Sequence, residues 1–318
     1  MSAARVTSRD VARRAGVSTA TVSRALSGRG AVSAPTRARV LEAATALGYV
    51  VSAAASTLAT GRARAIGVVV PFLDRWFFST VLAGISDALV REGYDITLYS
   101  ITADPAERRR VLGDNLRRRR IDGIITIAVE LDETESALVT GLGIPVVAIG
   151  GPDPRVTTLT VDDRAVGRCA TAHLLELGHR RIAHIGATPA SSAAVPSLRR
   201  RGFEQEMRDA VAAAPLLVPA DFPIAGGSAA ATGLLAATDR PTAIFAASDE
   251  MAIGAILAAR TLGLRVPEDV SIIGVDGHEL GHWFALTTVD QFARGQGERA
   301  AEAVLAELDG AAPARRLG

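Results

Sequence analysis

Apolar and polar positions in the first 48 residues recur with the spacing of three short helices. Hydroxyl side chains stand where each helix would begin, and glycines stand where the first and third would end. Three helices with a tight glycine turn between the first two form the helix-turn-helix pattern. The bounding residues are Thr7 or Ser8 and Gly16 for a helix over 10–15, Ser18 for one over 19–26, and Ser33 or Pro35-Thr36 with Leu47-Gly48 for the third.

From residue 65 onward, short apolar runs rich in β-branched residues alternate with longer amphipathic segments. This alternation predicts parallel strands in sheets that helices cover on both faces. The series occurs twice, so we expect two doubly wound lobes with a ligand cleft at the carboxyl ends of their strands. The predicted strands are 65–70, 95–99, 121–127, 145–149, 181–185, 243–246 and 271–275, and the predicted helices are 78–91, 166–177, 199–212 and 250–262.

Residues 50–61 connect these two parts of the chain. The segment is too rich in alanine for a flexible linker, and it is too short to be stable as an isolated helix. It therefore predicts a helix that forms only on contact with another molecule, and an ordinary short connector is the alternative.

Charge is distributed unevenly between the two parts. Residues 1–62 contain nine arginines but only two acidic residues, Asp10 and Glu42, which gives a net charge of +7. The whole chain has a net charge of only +1, and all of its 35 basic residues are arginines. A basic head on an acidic body indicates that the head alone binds a polyanion.

Composition excludes several other classes of protein. Hydrophobic residues make up 48% of the 318 positions, which allows a packed core and argues against global disorder. Cys169 is the only cysteine, so an internal disulfide and a multi-cysteine zinc site are excluded. No secretory signal and no apolar run long enough to cross a bilayer is visible, so we expect a cytoplasmic protein without membrane contact.

Several motifs together resemble the lactose-repressor (LacI) family of transcriptional regulators. The resemblance runs in order through nearly the whole chain, which makes it far more specific than a lone helix-turn-helix. It implies a helix-turn-helix head with a hinge helix, followed by a two-lobed sensor domain like a periplasmic binding protein. The motifs are DVARRAGVS (10–18), ATVSRALS (20–27), IGVVVP (66–71), DGII (122–125), LGHRRI (177–182), VPEDVS (266–271) and LTTV (286–289).

The resemblance also assigns roles in DNA binding. The start of the second helix is expected in the major groove, where Arg24 can pair with guanine and the small Thr19 and Ala20 can touch a thymine methyl group. Thr21, Ser23 and Ser27 are expected at phosphates. A solvated helix face is the alternative for this set.

Leu58 stands where the hinge helix of this family places a leucine in the minor groove, which kinks the DNA. A core position is the alternative for Leu58. Val51-Ser52 replaces the Pro-Asn that relatives often have, and Ser56 replaces a frequent arginine, so the resemblance implies a less ordered hinge with fewer phosphate contacts.

The cleft of the sensor domain is expected to hold a small effector. Phe77 and Phe78 from the first lobe, and Arg199, Asp249 and Asp276 from the second, occupy positions that line it by resemblance. Arg199 could instead belong to an exposed run with Arg200 and Arg201, and Asp249 could cap a helix.

Aromatic residues are scarce, yet five of the 13 fall in Trp76-Phe77-Phe78 and Trp283-Phe284. A tryptophan face stacks on a pyranose, and paired carboxylates and arginines bind its hydroxyls. This predicts a mono- or oligosaccharide effector, contacted by Trp76 and Trp283, with a purine or nucleoside as the second choice. Core packing of both aromatic clusters is the alternative.

One motif indicates a different function. His278-Glu279-Leu280-Gly281-His282 has the H-E-x-x-H form of zinc peptidases, with Glu302 as a conceivable third ligand. However, it directly follows a strand and Gly277, and it contains a second glycine. We therefore expect no metal, no cofactor and no enzymatic activity.

The sequence thus predicts a ligand-responsive repressor of sugar uptake or catabolism genes. It is expected to bind a pseudo-palindromic operator as a homodimer, with a tetramer as the alternative. A solute-binding protein without a DNA role is the competing function. The expected domains are the head 1–50, the hinge 51–62 and the sensor 63–318, with lobe 1 at 63–161 plus 290–313 and lobe 2 at 162–289.

Overall fold

The structure is a computed structural model that describes residues 6–27, 32–49, 62–118, 120–151, 153, 155–186, 194–210 and 214–313. The chain divides into two units. One consists of Met1–Ala65 with Arg119–Asp122, and the other of Ile66–Arg118 with Gly123–Gly318.

Three helices form the head: α1 (Ser8–Ala15), α2 (Thr19–Ser27) and α3 (Ala34–Leu47). The carboxylate of Asp10 accepts hydrogen bonds from the backbone nitrogen and hydroxyl of Thr7, at 3.0 and 2.7 Å, at the start of α1. Gly16 ends α1 with φ 66°, a left-handed conformation that glycine adopts at little cost. Valines from the three helices, Val11, Val22 and Val40, are fully buried against one another with neighbouring alanines.

The second unit contains two five-stranded sheets, with strand orders β2-β1-β3-β4-β5 and β10-β9-β8-β6-β7. The pairings β1–β3, β3–β4 and β4–β5, and all four pairings of the second sheet, are parallel. The strands are β1 (Ala65–Val70), β2 (Asp95–Ser100), β3 (Gly123–Ile127), β4 (Val146–Ile149), β5 (Thr157–Leu159), β6 (Ile182–Gly186), β7 (Leu216–Pro219), β8 (Ala243–Ala246), β9 (Ser271–Asp276) and β10 (Thr287–Asp290).

Helices flank both sheets, as the alternating sequence predicts. The helix after β2 passes through a π-helical turn, Arg110–Asn115, between its two α-helical pieces. The helices are α4 (Trp76–Arg91), α5 (Pro105–Arg109), α6 (Leu116–Arg118), α7 (Glu133–Thr140), α8 (Asp163–Glu176), α9 (Ala194–Asp209), α10 (Ile224–Ala236), α11 (Asp249–Thr261), α12 (Gly281–Phe284) and α13 (Ala293–Leu308).

Three pairs of these helices cross at glycines, where the two backbones touch. The pairs are α4 with α13, α8 with α9, and α10 with α11. A Cβ atom on Gly84 would lie 2.1 Å from the carbonyl oxygen of Arg294, and one on Gly297 would lie 2.1 Å from that of Val81. Such close approach requires glycine because no side chain fits between the backbones. The other crossings use Gly167 with Gly202 and Gly227 with Gly254.

The chain crosses between the two sheets twice within the described residues. Residues 160–162 lead from β5 of the first sheet into α8, which packs with α9 in the core of the second. Residues 291–292 lead back from β10 to α13, which packs on the first sheet. The fold is therefore a helix-turn-helix head with a two-lobed α/β sensor domain, which confirms the predicted fold class.

Several element bounds differ from the sequence prediction, and two of them bear on residues discussed below. The third strand begins at Gly123 instead of residue 121, because the carboxylate of Asp122 is held by backbone nitrogens of residues 63 and 64. Helix α9 begins at Ala194 instead of Arg199 and ends at Asp209. Among the described residues, no helix is both long and apolar enough to span a membrane.

Candidate effector cleft and DNA-binding helix

Four of the six predicted DNA-contacting residues of α2 form one exposed stripe: Thr19, Ala20, Ser23 and Arg24. The opposite face is buried through Val22 and Ala25. This division follows the helical period, so the four exposed residues are available to a partner together. Thr21 has a different place, since its hydroxyl lies 2.9 Å from that of Ser18 in the cap of α2. Ser27 is the last residue of α2, and Leu58 lies outside the described residues.

Removal of the Arg24 guanidinium is expected to relax base preference at one position of each operator half-site. A bidentate contact to guanine contributes ~1–3 kcal/mol of discrimination, so the Arg24→Ala variant should lose about 10–100-fold selectivity there. The measurement is in vitro selection of duplexes from a random library, followed by titration. Arg37→Ala is the comparison and should weaken all sequences about equally while flattening the salt dependence. Unchanged selectivity in Arg24→Ala would place another residue in the groove.

A cavity of about 770 Å³ lies in the second unit between the carboxyl ends of strands from both sheets. Its wall contains residues that directly follow strands of the first sheet, such as Pro71 and Ala128. It also contains residues at or just after strand ends of the second sheet, such as Ser248 and Asp276. Parallel α/β sheets place their ligands at this edge, and the volume falls in the usual range for small molecules.

Phenylalanine rings form much of the apolar part of this wall. Phe77 and Phe78, predicted for this site, come from the first turn of α4 and meet edge to face with centroids 5.6 Å apart. Phe72 packs on Phe78 in the same way at 5.6 Å. Phe222 contributes a fourth ring from the opposite lobe. Phe72 and Phe222 are not among the residues predicted from the sequence. Phe72 lies just after β1 and Phe222 just after β7, and this position after a strand is the signal that points to them.

Arg199 forms the centre of the polar part of the wall. Its side chain is only 4% exposed, so it does not belong to an exposed arginine run. Its nitrogens donate to Asp163 Oδ1 at 2.9 Å, to the carbonyl oxygen of Ala247 at 2.6 Å and to Gln291 Oε1 at 2.9 Å. The guanidinium thereby joins α8, the end of β8 and the second chain crossing at one point.

Asp276 completes this network at the end of β9. Its Oδ1 accepts from Gln291 Nε2 at 2.5 Å and lies 3.9 Å from Arg199 Nη1. Burial raises the pKa of Asp276 to about 7, although the charge of Arg199 opposes this rise. A carboxyl with such a pKa is available both protonated and ionised near neutrality. It can therefore donate a hydrogen bond to a hydroxyl group when protonated, or accept one from it when ionised.

Asp249, predicted to bind the effector, does not line the cavity. Its carboxylate is fully buried and accepts from the backbone nitrogen of His278 at 2.8 Å and from the hydroxyl of Thr288 at 2.7 and 2.9 Å. Gly274 leaves the space for it, since a Cβ there would lie 2.1 Å from Asp249 Oδ1. Asp249 thus holds the loop after Asp276 in place and supports the cavity wall from behind, where the sequence predicts a direct contact with the effector.

Neither tryptophan lines the cavity, although the sequence predicts that both contact the effector. Trp76 stacks on the ring of His278, with centroids 4.6 Å apart and planes 18° from parallel. Its neighbours Phe77 and Phe78 face the cavity, because successive residues of a helix point in different directions. Trp283 lies in the short helix α12 and is 78% exposed.

The H-E-x-x-H motif does not have the geometry of a zinc site. His278 lies before α12 begins at Gly281, so the two histidines do not share a helix. His278 Nδ1 accepts from the backbone nitrogen of Leu280 at 3.0 Å, and its ring is buried against Trp76. Across the described residues, no group of three or more His, Cys, Asp or Glu side chains could hold a metal ion.

Comparison with known proteins identifies the family. The profile described as "Bacterial regulatory proteins, lacI family" matches residues 7–52, and that of a "Periplasmic binding protein-like domain" matches residues 171–317. The HTH-type transcriptional repressor PurR of Aliivibrio fischeri (strain ATCC 700601 / ES114) is 35% identical over 311 residues, which cover 95% of this chain and 91% of that protein. The chain is a member of the LacI family.

Other relatives of this LacI-family chain agree with that assignment. PurR of Vibrio cholerae serotype O1 (strain M66-2) is 34% identical and covers 98% of this chain, which covers 94% of it. The lac repressor dimer bound to operator and the anti-inducer ONPF has a TM-score of 0.84 and 28% identity, covering 96% of this chain and 93% of that one. The CelR–cellobiose complex has a TM-score of 0.71 and 29% identity, covering 98% and 96%.

The chain is therefore a DNA-binding transcriptional repressor that responds to a small molecule. The predictions of the LacI family and of a regulator without enzymatic activity are confirmed, since the relatives are transcriptional repressors. The relatives are DNA-binding transcriptional repressors. Membership of this family therefore argues against a zinc peptidase and against a solute-binding protein without a DNA role.

Proposed function

We propose that this repressor is controlled by a neutral ring-shaped molecule with neighbouring hydroxyl groups, bound in the cavity between the two sheets. A mono- or oligosaccharide is the first candidate, which would make the regulated genes those of sugar uptake or catabolism. The observation that carries the proposal is the buried cluster of Arg199, Asp276 and Gln291, which lines the same cavity as the phenylalanine rings.

The arrangement of this cluster fits a pair of hydroxyls. Arg199 and Gln291 can donate to them, while Asp276, with its pKa of about 7, can accept or donate. The four phenylalanine rings supply apolar surface on which the C–H face of a sugar ring can pack. The same features accept the ribose and base of a nucleoside, which is the second candidate.

The charges of the wall favour a neutral ligand over a phosphorylated one. Among the described residues that line the cavity, two are arginines, Arg75 and Arg199, and five are acidic. A phosphate would be repelled by this excess of carboxylates in a partly buried site. The acidic lining residues are Glu130, Asp163, Asp221, Glu250 and Asp276.

Operator binding follows the arrangement proposed for the whole chain, with the head at 1–50, the hinge at 51–62 and the sensor at 63–318. Thr19, Ala20 and Arg24 contact bases, and Leu58 enters the minor groove. The residues near phosphates are Thr21, Ser23 and Ser27. Two heads of a homodimer bind two half-sites, which requires half-sites about one helical turn apart or a multiple of it.

The effector class is tested by thermal unfolding of the wild type with mono- and disaccharides, nucleosides, and the phosphate ester of each. We expect stabilisation by at least one neutral compound and none by its phosphate ester. Calorimetry with the stabilising compound should show about 10–100-fold weaker binding to Asp276→Asn, because a hydrogen bond to a charged group contributes about 1.5–3 kcal/mol.

Trp283→Ala is the matched control and should bind as the wild type does, since Trp283 projects into solvent. Stabilisation by nucleosides alone would select the second candidate. Tighter binding of a phosphate ester, or full affinity in Asp276→Asn, would contradict the assignment of the cavity.

A further inference from the structure

Asp122 ties down the segment that leads from the hinge region into the first strand. Its Oδ1 accepts from the backbone nitrogen of Ala63, and its Oδ2 accepts from that of Arg64, both at 2.7 Å. Its own backbone nitrogen donates to the carbonyl oxygen of Ala65 at 2.8 Å. Three consecutive residues are thus bonded to one residue that lies more than 55 positions away in the sequence.

The two bonds to the carboxylate are of the stronger, charge-assisted kind. They also fix an unusual backbone, since Arg64 has φ 53°, a conformation that residues other than glycine adopt only rarely. Without the carboxylate, two backbone N–H groups lose their acceptor, and the left-handed turn at Arg64 loses the contact that holds it. We expect residues 63 and 64 to become mobile as a result.

Two strands lead from this anchor to the effector cavity. Ala65 begins β1, which leads to Pro71 and Phe72, and Gly123 follows Asp122 and begins β3, which leads to Ala128. The strands are parallel neighbours, with Ile66 opposite Gly123, and nearly all of their residues are buried. At about 3.3 Å per residue, five residues of strand span ~17 Å from the anchor to the cavity wall.

We propose that Asp122 is the positioning residue through which the DNA-binding segment and the effector cavity influence each other. Residues 63–65 directly follow the predicted hinge 51–62, so every change that passes along the backbone between head and sensor runs through them. Hydrogen bonds to the Asp122 carboxylate attach this segment to the beginning of β3, and its last residue is the beginning of β1. The effect of a ligand on DNA binding rests on the effector cavity proposed above. The effect of DNA on the sensor does not, and it can be measured on its own because coupling between two sites is reciprocal.

The chain carries its own reporter for this coupling. Its only two tryptophans, Trp76 and Trp283, both lie in the unit that contains the sheets, and Trp76 is next to two residues of the cavity wall. Thermal unfolding followed by tryptophan fluorescence therefore reports the sensor. DNA duplexes selected by the wild type from a random library serve as the probe, so no effector is needed.

In the wild type, DNA at about 100 times its Kd should raise the Tm of the tryptophan transition by about 5 °C. In Asp122→Ala this DNA-induced rise should fall below about 1 °C, even when the DNA concentration is adjusted to the same saturation. Asp122→Asn keeps one acceptor oxygen but turns an NH₂ group towards a backbone N–H, so it should also lose most of the rise. It serves as the second variant if Asp122→Ala does not fold.

Asp104→Ala is the matched control, because the carboxylate of Asp104 likewise accepts from a backbone nitrogen, that of Ala106 at 2.8 Å. It should lower the Tm without DNA slightly and keep the full DNA-induced rise. The proposal is overturned if DNA does not shift the tryptophan transition of the wild type, or if Asp122→Ala only lowers the basal Tm and keeps the rise. A failure of every compound in the effector panel would leave this result unaffected.

Discussion

Arg199→Met is expected to lower the free energy of unfolding by about 3–5 kcal/mol, because it leaves buried carboxyls without their cationic partner. Asp163 and Asp276 face Arg199 inside the protein, and burial already raises the pKa of both. The same variant removes a donor from the proposed hydroxyl site, so effector binding should be lost as well. Equilibrium unfolding in urea measures the first effect.

The loss of stability in Arg199→Met should depend on pH in a definite direction. A carboxyl whose pKa is raised in the folded protein binds more protons there than in the unfolded chain, so stability falls as pH rises towards the folded pKa. Removal of Arg199 raises the pKa of Asp163 and Asp276 further. The variant should therefore differ from the wild type less at pH 5, where these groups can be protonated, than at pH 8.

Arg201→Met provides the matched control. Arg201 lies two residues further along α9 and is exposed, so the same chemical change should cost less than ~0.5 kcal/mol. Equal effects at the two positions, or a larger loss for Arg199→Met at pH 5 than at pH 8, would contradict the role assigned to the buried network.

Gly297→Ala is expected to destabilise the sensor domain by about 3 kcal/mol, although it adds a single methyl group to a helix. The new Cβ would overlap the carbonyl oxygen of Val81 at 2.1 Å and approach the nitrogen of Ile85 at 2.9 Å. Backbone atoms cannot rotate aside as side chains do, so α4 and α13 must move apart and lose contacts in the core of the first sheet.

Gly233→Ala is the control for this prediction. Gly233 also lies inside a helix, α10, but a Cβ there would meet nothing within 4 Å. Alanine is a better helix former than glycine, so this variant should be more stable than the wild type by up to about 1 kcal/mol. Urea unfolding of both variants measures their free energies of unfolding. A similarly small change of this free energy in both would show that α4 and α13 can separate without cost.

The sequence predicts the central strands well because their apolar runs are bounded by clear breaks. Both β1 and β8 occur at the predicted bounds. The short edge strands β5, β7 and β10 were not predicted, since three or four residues carry too little pattern. Helix α10 was also missed. Its sequence IAGGSAAATGLLA lacks a polar stripe, because its small residues serve close packing against α11.

The sequence predicts which residues lie near the cavity better than it predicts which of their side chains point into it. Phe77 and Phe78 line the cavity, whereas the adjacent Trp76 stacks on His278. Sequence alone does not show which way the first residues of a helix point. Asp249 and Asp276 are both buried acidic residues near strand ends. Only the packing of Gly274 and Thr288 around Asp249 distinguishes the buried support from the cavity wall.

The glycine crossings have a consequence for how this repressor can adapt to new signals. None of the six crossing glycines lines the cavity, and most of the wall comes from residues at strand ends. Positions such as Phe72 and Phe222 can therefore vary without disturbing the helix pairs that maintain each lobe. Mutational tolerance is divided between two parts of the protein. The glycine crossings and the buried Arg199 network accept almost no change, whereas the recognition surface formed by the other wall residues accepts more. Libraries that seek a sensor for a different compound should be confined to that surface.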